Sequence, residues 1–431
     1  MKHSQFHAAE RRIARLFSLL LMAVSLSLSA AEPTQRLTSA ALVAEVLRAN
    51  ASIAALEASQ QALAAEARRA DALDDPRLHY AIAPKSIDDP SVETGHIVGI
   101  SQSLPWPGKR TLQRQRALSE AEAAGYGLEV RRRELAFEAR NAFADWAFLG
   151  GALRINAEQQ AQLRTLVTVA EQRYAAGSGT QQDPLAAKVR LLRLREAQWQ
   201  LEAEQETARA RLNALRQRAS DTPLPEAAAI PLQTDLPPMD RLVQAAEQTH
   251  PGLAQLDAER DSAEASRDLE RLARRPDFTL SANYVGTLPR EPYRTQLGVA
   301  LTVPFGQDKY DAAQAAALAR SERVRATRDD LAHRLRADVR SAYGRWRAAD
   351  RARRLYEQEL STLAQQSRET ALALYSRGRG DVQAVIDAET EWLAVRTGRL
   401  RTQRDAFQAL ARLAQLSGGR FDDSLLAETQ P

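Results

Sequence analysis

The side chains that could do chemistry are few and scattered. The chain of 431 residues has no cysteine, which excludes disulfides, thiolate metal sites and a cysteine nucleophile. Its six histidines are His3, His7, His79, His96, His250 and His333. No pair has a short ligand spacing such as H-x-x-x-H. His79 and His96 fall on neighbouring strand-like segments and could meet; the alternative is two histidines without a function. The only methionines are Met1, Met22 and Met239, so there is no methionine ladder for soft copper. No Ser-His-Asp frame and no catalytic carboxylate pair is present. Gly108-Lys109 is not a phosphate loop: prolines precede it, Arg110 replaces the required Ser or Thr, and no G-x-x-x-x-G-K frame exists. The sequence therefore predicts no enzyme, no cofactor and no resident metal.

Two kinds of informative position remain. One is a pair of glycine-containing breaks with acids beside them, "AAGSGTQQDP" and "SRGRGD". The other is a pair of proline-aromatic-glycine exits from strand-like runs, "ISQSLPWPGKR" and "LTVPFGQDKY". The elements that position both are long. Aromatics are only 5% and charged residues 26%, a composition suited to extended helices of Ala, Leu, Arg, Gln and Glu. The 59 basic and 55 acidic residues are interspersed. No basic stripe with interleaved aromatics exists, so nucleic acid is excluded as a partner.

Residues 1–31 read as a signal peptide. Lys2, Arg11, Arg12 and Arg15 form a basic start, Leu16 to Leu28 is apolar, and Ser29-Ala30-Ala31 is a small-residue cleavage site. No other stretch is apolar enough for a membrane helix. A membrane location would have to use strands.

The rest is an internal repeat. "LDDPRLHYAIA" matches "LARRPDFTLSANY", with Pro76 on Pro276. "LAFEARNAFADW" matches "LRADVRSAYGRW", with Trp146 on Trp346. "YAAGSG" matches "YSRGRG", with Tyr174 on Tyr375. The offset is 200 for the first two and 201 for the third. The expected halves are 32–218 and 239–418, joined by a proline-rich linker at 219–238 and followed by a tail at 419–431. Each half should hold a helix (38–72; 239–274), a β-hairpin (77–104; 277–303), a very long helix (110–176; 309–377) and a return helix to 218 or 417.

In the long helices Leu135, Ala139, Ala142, Phe143, Trp146 and Leu153 recur at helical spacing, as do Leu335, Val339, Ala342, Tyr343, Trp346 and Ala349. That is one apolar stripe, which must pack along partner rods. In the strands Leu78, Tyr80 and Ile82, or Leu297, Val299 and Leu301, alternate with small or polar residues. A soluble sheet capping a helical bundle fits this period. A transmembrane β-barrel fits it equally, but four strands cannot close one. Several chains would have to share it.

With these residues in place, the chain resembles the TolC family of outer-membrane channels over nearly its whole length. "ISQSLPWPGKR" is similar to the strand-exit motif of the branch that serves heavy-metal efflux. The resemblance implies a mainly α fold with a small β part: a duplicated long-helix coiled-coil tunnel, plus four strands per protomer contributing to a trimeric transmembrane β-barrel. It implies the outer membrane of a Gram-negative bacterium, with the tunnel in the periplasm. The implied partners are a homotrimer, outer-membrane lipid, a periplasmic adaptor protein and an inner-membrane pump of the resistance–nodulation–division class. The implied function is passive export, with heavy-metal cations as cargo. The alternatives are drug efflux or type I protein secretion through the same kind of channel, or a non-channel periplasmic coiled-coil adaptor.

On this resemblance Pro105, Trp106, Pro107, Gly108 and Lys109, and Pro304, Phe305 and Gly306, mark where the chain leaves the lipid. The aromatics would sit at the interface, with Lys109, Arg110 and Lys309 in water or headgroups. The breaks would form the periplasmic gate. Asp183, Tyr375 and Asp387 match residues of its lock and acidic aperture. Ala384 stands where a second aperture acid belongs and Gly380 where a constraining arginine belongs, with Arg377 and Arg379 nearby as substitutes. Read without the family, Asp183 is a helix N-cap or first-turn residue and Asp387 an exposed helix carboxylate.

Overall fold

The computed structural model describes residues 36–83, 95–231, 235–286 and 294–418. The expected signal peptide and C-terminal tail lie outside the described residues.

The helices are α1 (Ser39–Ala49), α2 (Ala51–Arg69), α3 (Lys109–Ala175), α4 (Gln182–Leu215), α5 (Met239–Thr249), α6 (Pro251–Leu272), α7 (Gln307–Leu355), α8 (Ser361–Ser376) and α9 (Val382–Ser417). The strands are β1 (Arg77–Ala83), β2 (Gly95–Leu104), β3 (Asp277–Val285) and β4 (Thr295–Thr302). With 67 residues, α3 is about 100 Å long.

The single helix expected before each hairpin is in fact two. The chain breaks at Asn50 and again at His250, the same place in the repeat. Both residues are extended, and both side chains cap the next helix: Asn50 Oδ1 accepts from Ser52 N–H at 3.0 Å, and His250 Nδ1 from Gly252 N–H at 3.1 Å. Pro251 at the first position of α6 cannot continue the preceding helix.

The second long helix differs from the first by one residue. Between α7 and α8 lies a π-helical turn, Tyr356–Leu360. The repeat offset changes from 200 to 201 between Trp346 and Tyr375, so this turn absorbs the inserted residue without breaking the rod. It is held by Ser361 Oγ donating to Tyr356 O at 2.6 Å. The Tyr356 ring lies on Gly398 of α9, where an added Cβ would meet it at 2.5 Å.

Among the described residues the apolar stripes are buried in three larger clusters along the rods, with a fourth, small one at Phe148, Leu149 and Ala152. In the first, Leu42 and Val46 of α1, Leu135, Ala139 and Phe143 of α3, Leu212 of α4 and Phe407 of α9 meet, and Phe143 and Phe407 pack edge to face at 6.1 Å. Each such Leu, Val or Phe side chain contributes about 1.5–3 kcal/mol on burial. The second cluster repeats this in the other half with Leu242, Leu335, Val339, Trp346, Leu410 and Leu413. The third lies near the helix tips. The proline-rich segment does not hang free: Trp146 Nε1 donates to Pro225 O at 3.0 Å, and Leu37 N–H to Glu226 O at 2.8 Å.

The four strands form one antiparallel sheet in the order β1-β2-β3-β4. The two hairpins therefore pair with each other, through β2 and β3, and among the described residues β1 and β4 are left as open edges. Register fixes two faces. Leu78, Tyr80, Ile82, Val98, Ile100, Leu280, Tyr284, Leu297, Val299 and Leu301 share one. His79, Gly99, Ser101, Ser281, Asn283, Gln296, Gly298 and Ala300 share the other. The apolar face is uncovered, with Leu78 80% and Leu297 84% exposed. His79 and His96 lie on opposite faces and do not meet. His96 Nδ1 bonds instead to the Tyr80 hydroxyl at 2.7 Å. Among the described residues no single helix is long and apolar enough to cross a membrane.

Candidate functional site: helix tips and strand exits

At one end of the rods, α3 turns into α4 through residues 176–181, and α8 into α9 through 377–381. Each helix ends on a left-handed glycine, Gly177 (φ 69°) and Gly378 (φ 75°), the conformation that closes a helix C-terminus. Asp183, in the first turn of α4, is turned toward Thr180. The Thr180 hydroxyl donates to Asp183 Oδ1 at 2.7 Å, and Thr180 N–H to Oδ2 at 3.3 Å. Both bonds run from Thr180 to Asp183, so a first-turn carboxylate accepts at the start of the helix. In the other tip Asp381 takes that role, accepting from Gln383 N–H.

Tyr375 and Tyr174 occupy the same place in the repeat but not the same environment. Tyr174 is 48% exposed and Tyr375 is 3% exposed. Tyr375 belongs to the buried cluster that includes Leu163, Leu166, Ala187, Val382 and Val385, and its hydroxyl has no hydrogen-bond partner among the described residues. Burial pushes its phenol above the ordinary value, with Arg173 opposing and Asp183 and Asp381 adding to the rise.

The arginine that engages Tyr375 is Arg173. Its guanidinium donates to Tyr375 O at 2.6 Å and to Ser178 O at 3.2 Å, and lies 4.5 Å from the Tyr375 ring centre. It ties the first tip to the second. From the sequence, Arg377 and Arg379 are expected as substitutes for a constraining arginine at position 380. Both are exposed and make no ion pair among the described residues. The signal for Arg173 is its place in the last turn of α3, where a cation offsets the carbonyl end of the dipole. Gly380 cannot carry a constraining side chain without a shift, because its Cβ would lie 2.9 Å from Tyr375 N. Asp387 accepts from Gln383 at 2.8 Å on the exposed side of α9. It makes no hydrogen bond or ion pair with Asp183, Tyr375, Arg377 or Arg379. Ala384 supplies no polar group.

Inward from the tips lies a buried polar layer that the sequence reading missed. Glu389 of α9 is 3% exposed. It accepts from Arg368 Nε of α8 at 2.7 Å and from Gln159 Nε2 of α3. Arg368 also donates to Gln162 of α3 at 2.6 Å, and Asn156 of α3 to Leu194 O of α4 at 3.1 Å. The layer thus links four helices, and both halves. Its sequence signal is a run of amides, Asn156, Gln159 and Gln160, interrupting an apolar stripe.

At the other end, the strand exits turn on Gly108 (φ 94°) and Gly306 (φ 82°), each directly before a long helix. Pro105 and Pro107 close β2, and Pro304 follows β4, where no further ladder donor is needed. Trp106 is half-buried. Its ring stacks on Phe278 at 5.8 Å, and its backbone N–H donates to Asp277 Oδ1 at 2.7 Å. Phe305 is exposed. Lys109 is not in water: it is buried, with Nζ 2.8 Å from Asp277 Oδ1 and 3.3 Å from Arg275 O. Arg110 is likewise bound, donating through Nε to Asp71 O at 2.6 Å. Of the three cations expected outside, only Lys309 is exposed.

The geometry is that of paired rods with a cross-linked tip and a two-faced sheet with open edges. The sequence matches the family described as outer membrane efflux protein over residues 42–216 and 242–419. The fold is similar to a membrane protein from Pseudomonas aeruginosa, with 18% identity, a TM-score of 0.76, and 88% of this chain and 93% of that one covered. It is similar to the outer membrane protein VceC from Vibrio cholerae, with 18% identity, a TM-score of 0.74, and 88% and 96% covered. For CusC, whose structural description concerns transmembrane channel formation, the values are 17%, 0.75, 88% and 92%. At these identities the likeness shows the fold. No curated protein matches the sequence.

Proposed function

The chain belongs to the outer membrane efflux protein family, and we propose from that premise that three copies form one passive duct of a tripartite efflux system. The observation that carries the reading is the sheet. One face is apolar and uncovered, the other is small and polar, and both edges are unpaired. An uncovered apolar face is at home in lipid, and open strand edges are not. Both are satisfied when the sheets of three copies close into twelve strands around a polar lumen. The long helices then continue the lumen into the periplasm. The adaptor alternative gives this uncovered face no role. The family's members are transport channels, and catalysis is not part of the account.

We assign the gate to the tips, with Arg173 and Tyr375 as the cross-link and Asp183 and Asp387 as acids near the opening. A ring of carboxylates repeated about a threefold axis would favour cations, in a salt-dependent manner. The adaptor and an inner-membrane pump of the resistance–nodulation–division class would supply opening and energy. The heavy-metal branch is supported by the "ISQSLPWPGKR" exit alone. Purified protein added to a planar lipid bilayer should give discrete, water-filled conductance. Protein that never enters the bilayer would contradict the duct. A deletion strain should be sensitive to metal cations; sensitivity to drugs only, or loss of a secreted protein, would move the assignment to another branch.

A further inference from the structure

The internal repeat makes one seam of the sheet a template for another. The seam seen within the chain is β2 on β3. It pairs Ser103 with Thr279, Gln102 with Leu280, Ser101 with Ser281 and Ile100 with Ala282. Its end is stapled by buried Lys109, at the start of α3, bound to Asp277, at the start of β3. In the repeat β4 stands for β2 at a local offset of 199, with Gly298 on Gly99 and Pro304 on Pro105, and β1 stands for β3 at 200, with Pro76 on Pro276. Both β4 and β1 are open edges.

Charge order around the strands is reversed between the halves, though not residue for residue, and Lys309 keeps the sign of Lys109. In the first half, acid precedes the strand and base starts the long helix: Arg114 pairs with Asp71 at 3.1 Å. In the second half base precedes the strand and acid starts the helix, and Arg274 pairs with Asp311. The same reversal applies to the staple. Where Lys109 and Asp277 stand at the internal seam, the open edges carry Arg77, at the start of β1, on Asp277 by the offset of 200, and Asp308, in the first turn of α7 beside Lys309, on Lys109 by the strand-exit offset of 199. Both are exposed, and neither makes an ion pair among the described residues.

We infer that β4 of one copy docks on β1 of the next, closed by an Asp308–Arg77 ion pair that inverts the internal Lys109–Asp277 staple. This rests on the trimeric duct proposed above and names its subunit seam. Transferring the register pairs Thr302 with His79 of the next copy, Leu301 with Tyr80, Ala300 with Ala81 and Val299 with Ile82. The apolar members, Leu301, Tyr80, Val299 and Ile82, are all exposed in the single chain, and the transfer keeps each on the apolar face. The two hairpins themselves differ by two residues, Arg77 opposite Ser101 but Asp277 opposite Thr302. That difference preserves the faces and defines the competing registers.

The chain has no cysteine, so disulfide mapping needs no background removal. Full-length protein carrying Ala300→Cys with Ala81→Cys should form intermolecular disulfides in membranes. Ala300→Cys with His79→Cys, or with Ala83→Cys, should cross-link more weakly. Dominance of either shifted pair would overturn the register. No intermolecular cross-link from any pair, together with a one-chain mass in detergent, would overturn the trimeric reading instead. Arg77→Asp or Asp308→Arg alone should lower the assembled fraction about two- to fivefold, and the double exchange should restore it. Singles without effect, or a double that fails to restore, would overturn the ion pair.

Discussion

The guanidinium of Arg173, at the end of the first long helix, lies 4.5 Å from the ring centre of Tyr375, at the end of the second. It also donates to the Tyr375 carbonyl oxygen at 2.6 Å. This is the contact through which one helix tip holds the other. A charged hydrogen bond and a partly desolvated cation–π contact together are worth about 2–3 kcal/mol. Arg173→Ala should therefore accelerate amide exchange at residues 374–381 by tenfold or more, and raise conductance. Tyr375→Phe should leave both nearly unchanged, because the hydroxyl it removes bonds to nothing in the tip. A large effect of the Phe variant would mean that the hydroxyl, not the ring and carbonyl, carries the lock.

Placing an arginine at position 380 should weaken the tip. Any Cβ there lies 2.9 Å from Tyr375 N and 3.1 Å from the Leu374 carbonyl carbon, and backbone cannot yield as a flexible side chain can. Gly380→Arg should lower stability by about 1–3 kcal/mol, measured as a fall in Tm or faster tip proteolysis. An unchanged or rising Tm would show that the loop has another conformation open to it.

The repeat was plain in the sequence because identical residues recur at a constant offset. Strand faces were plain because Leu78, Tyr80 and Ile82 alternate with polar neighbours. What was hidden depended on single local contacts. The breaks at Asn50 and His250 need only one side chain each to out-compete a helical bond, and they interrupt no hydrophobic period. The shift from offset 200 to 201 was visible, but not that a π-helical turn at Tyr356–Leu360 would absorb it. Lys109 looked like a headgroup contact because its partner, Asp277, lies far along the chain. Arg173 was overlooked for the same reason: its target belongs to the other half. Arg377 and Arg379, near in sequence, make no ion pair among the described residues.

Glu389 should be the least tolerant polar residue in the rods. Its carboxylate is buried among Arg368 and Gln159. Removing one partner of such a pair leaves a charge without compensation, at a cost of about 3–5 kcal/mol. Arg368→Ala should therefore destabilise strongly in thermal or denaturant unfolding, and Glu389→Gln with Arg368→Met should recover much of the loss. A mild Arg368→Ala phenotype would contradict the assigned geometry.

Acid should loosen the joint between α5 and α6. Burial, with Arg133 and Arg412 nearby, lowers the His250 pKa to about 4. The neutral ring accepts from Gly252 N–H. Since the unfolded chain binds the proton at its ordinary value, stability is intact above about pH 6.5 and falls as pH drops toward 4. The loss is at most about 3 kcal/mol. His250→Asn, the residue that caps the matching break at Asn50, should remove this part of the pH dependence. An unaltered profile in that variant would assign the acid sensitivity elsewhere.

The claim beneath all of this is that one chain carries an incomplete sheet, finished only by copies of itself in lipid. The mass of the detergent-solubilised protein, with bound detergent subtracted, tests it most directly. The account predicts three chains per particle, extracted from the outer-membrane fraction. A single chain per particle that stays in solution without detergent would contradict it.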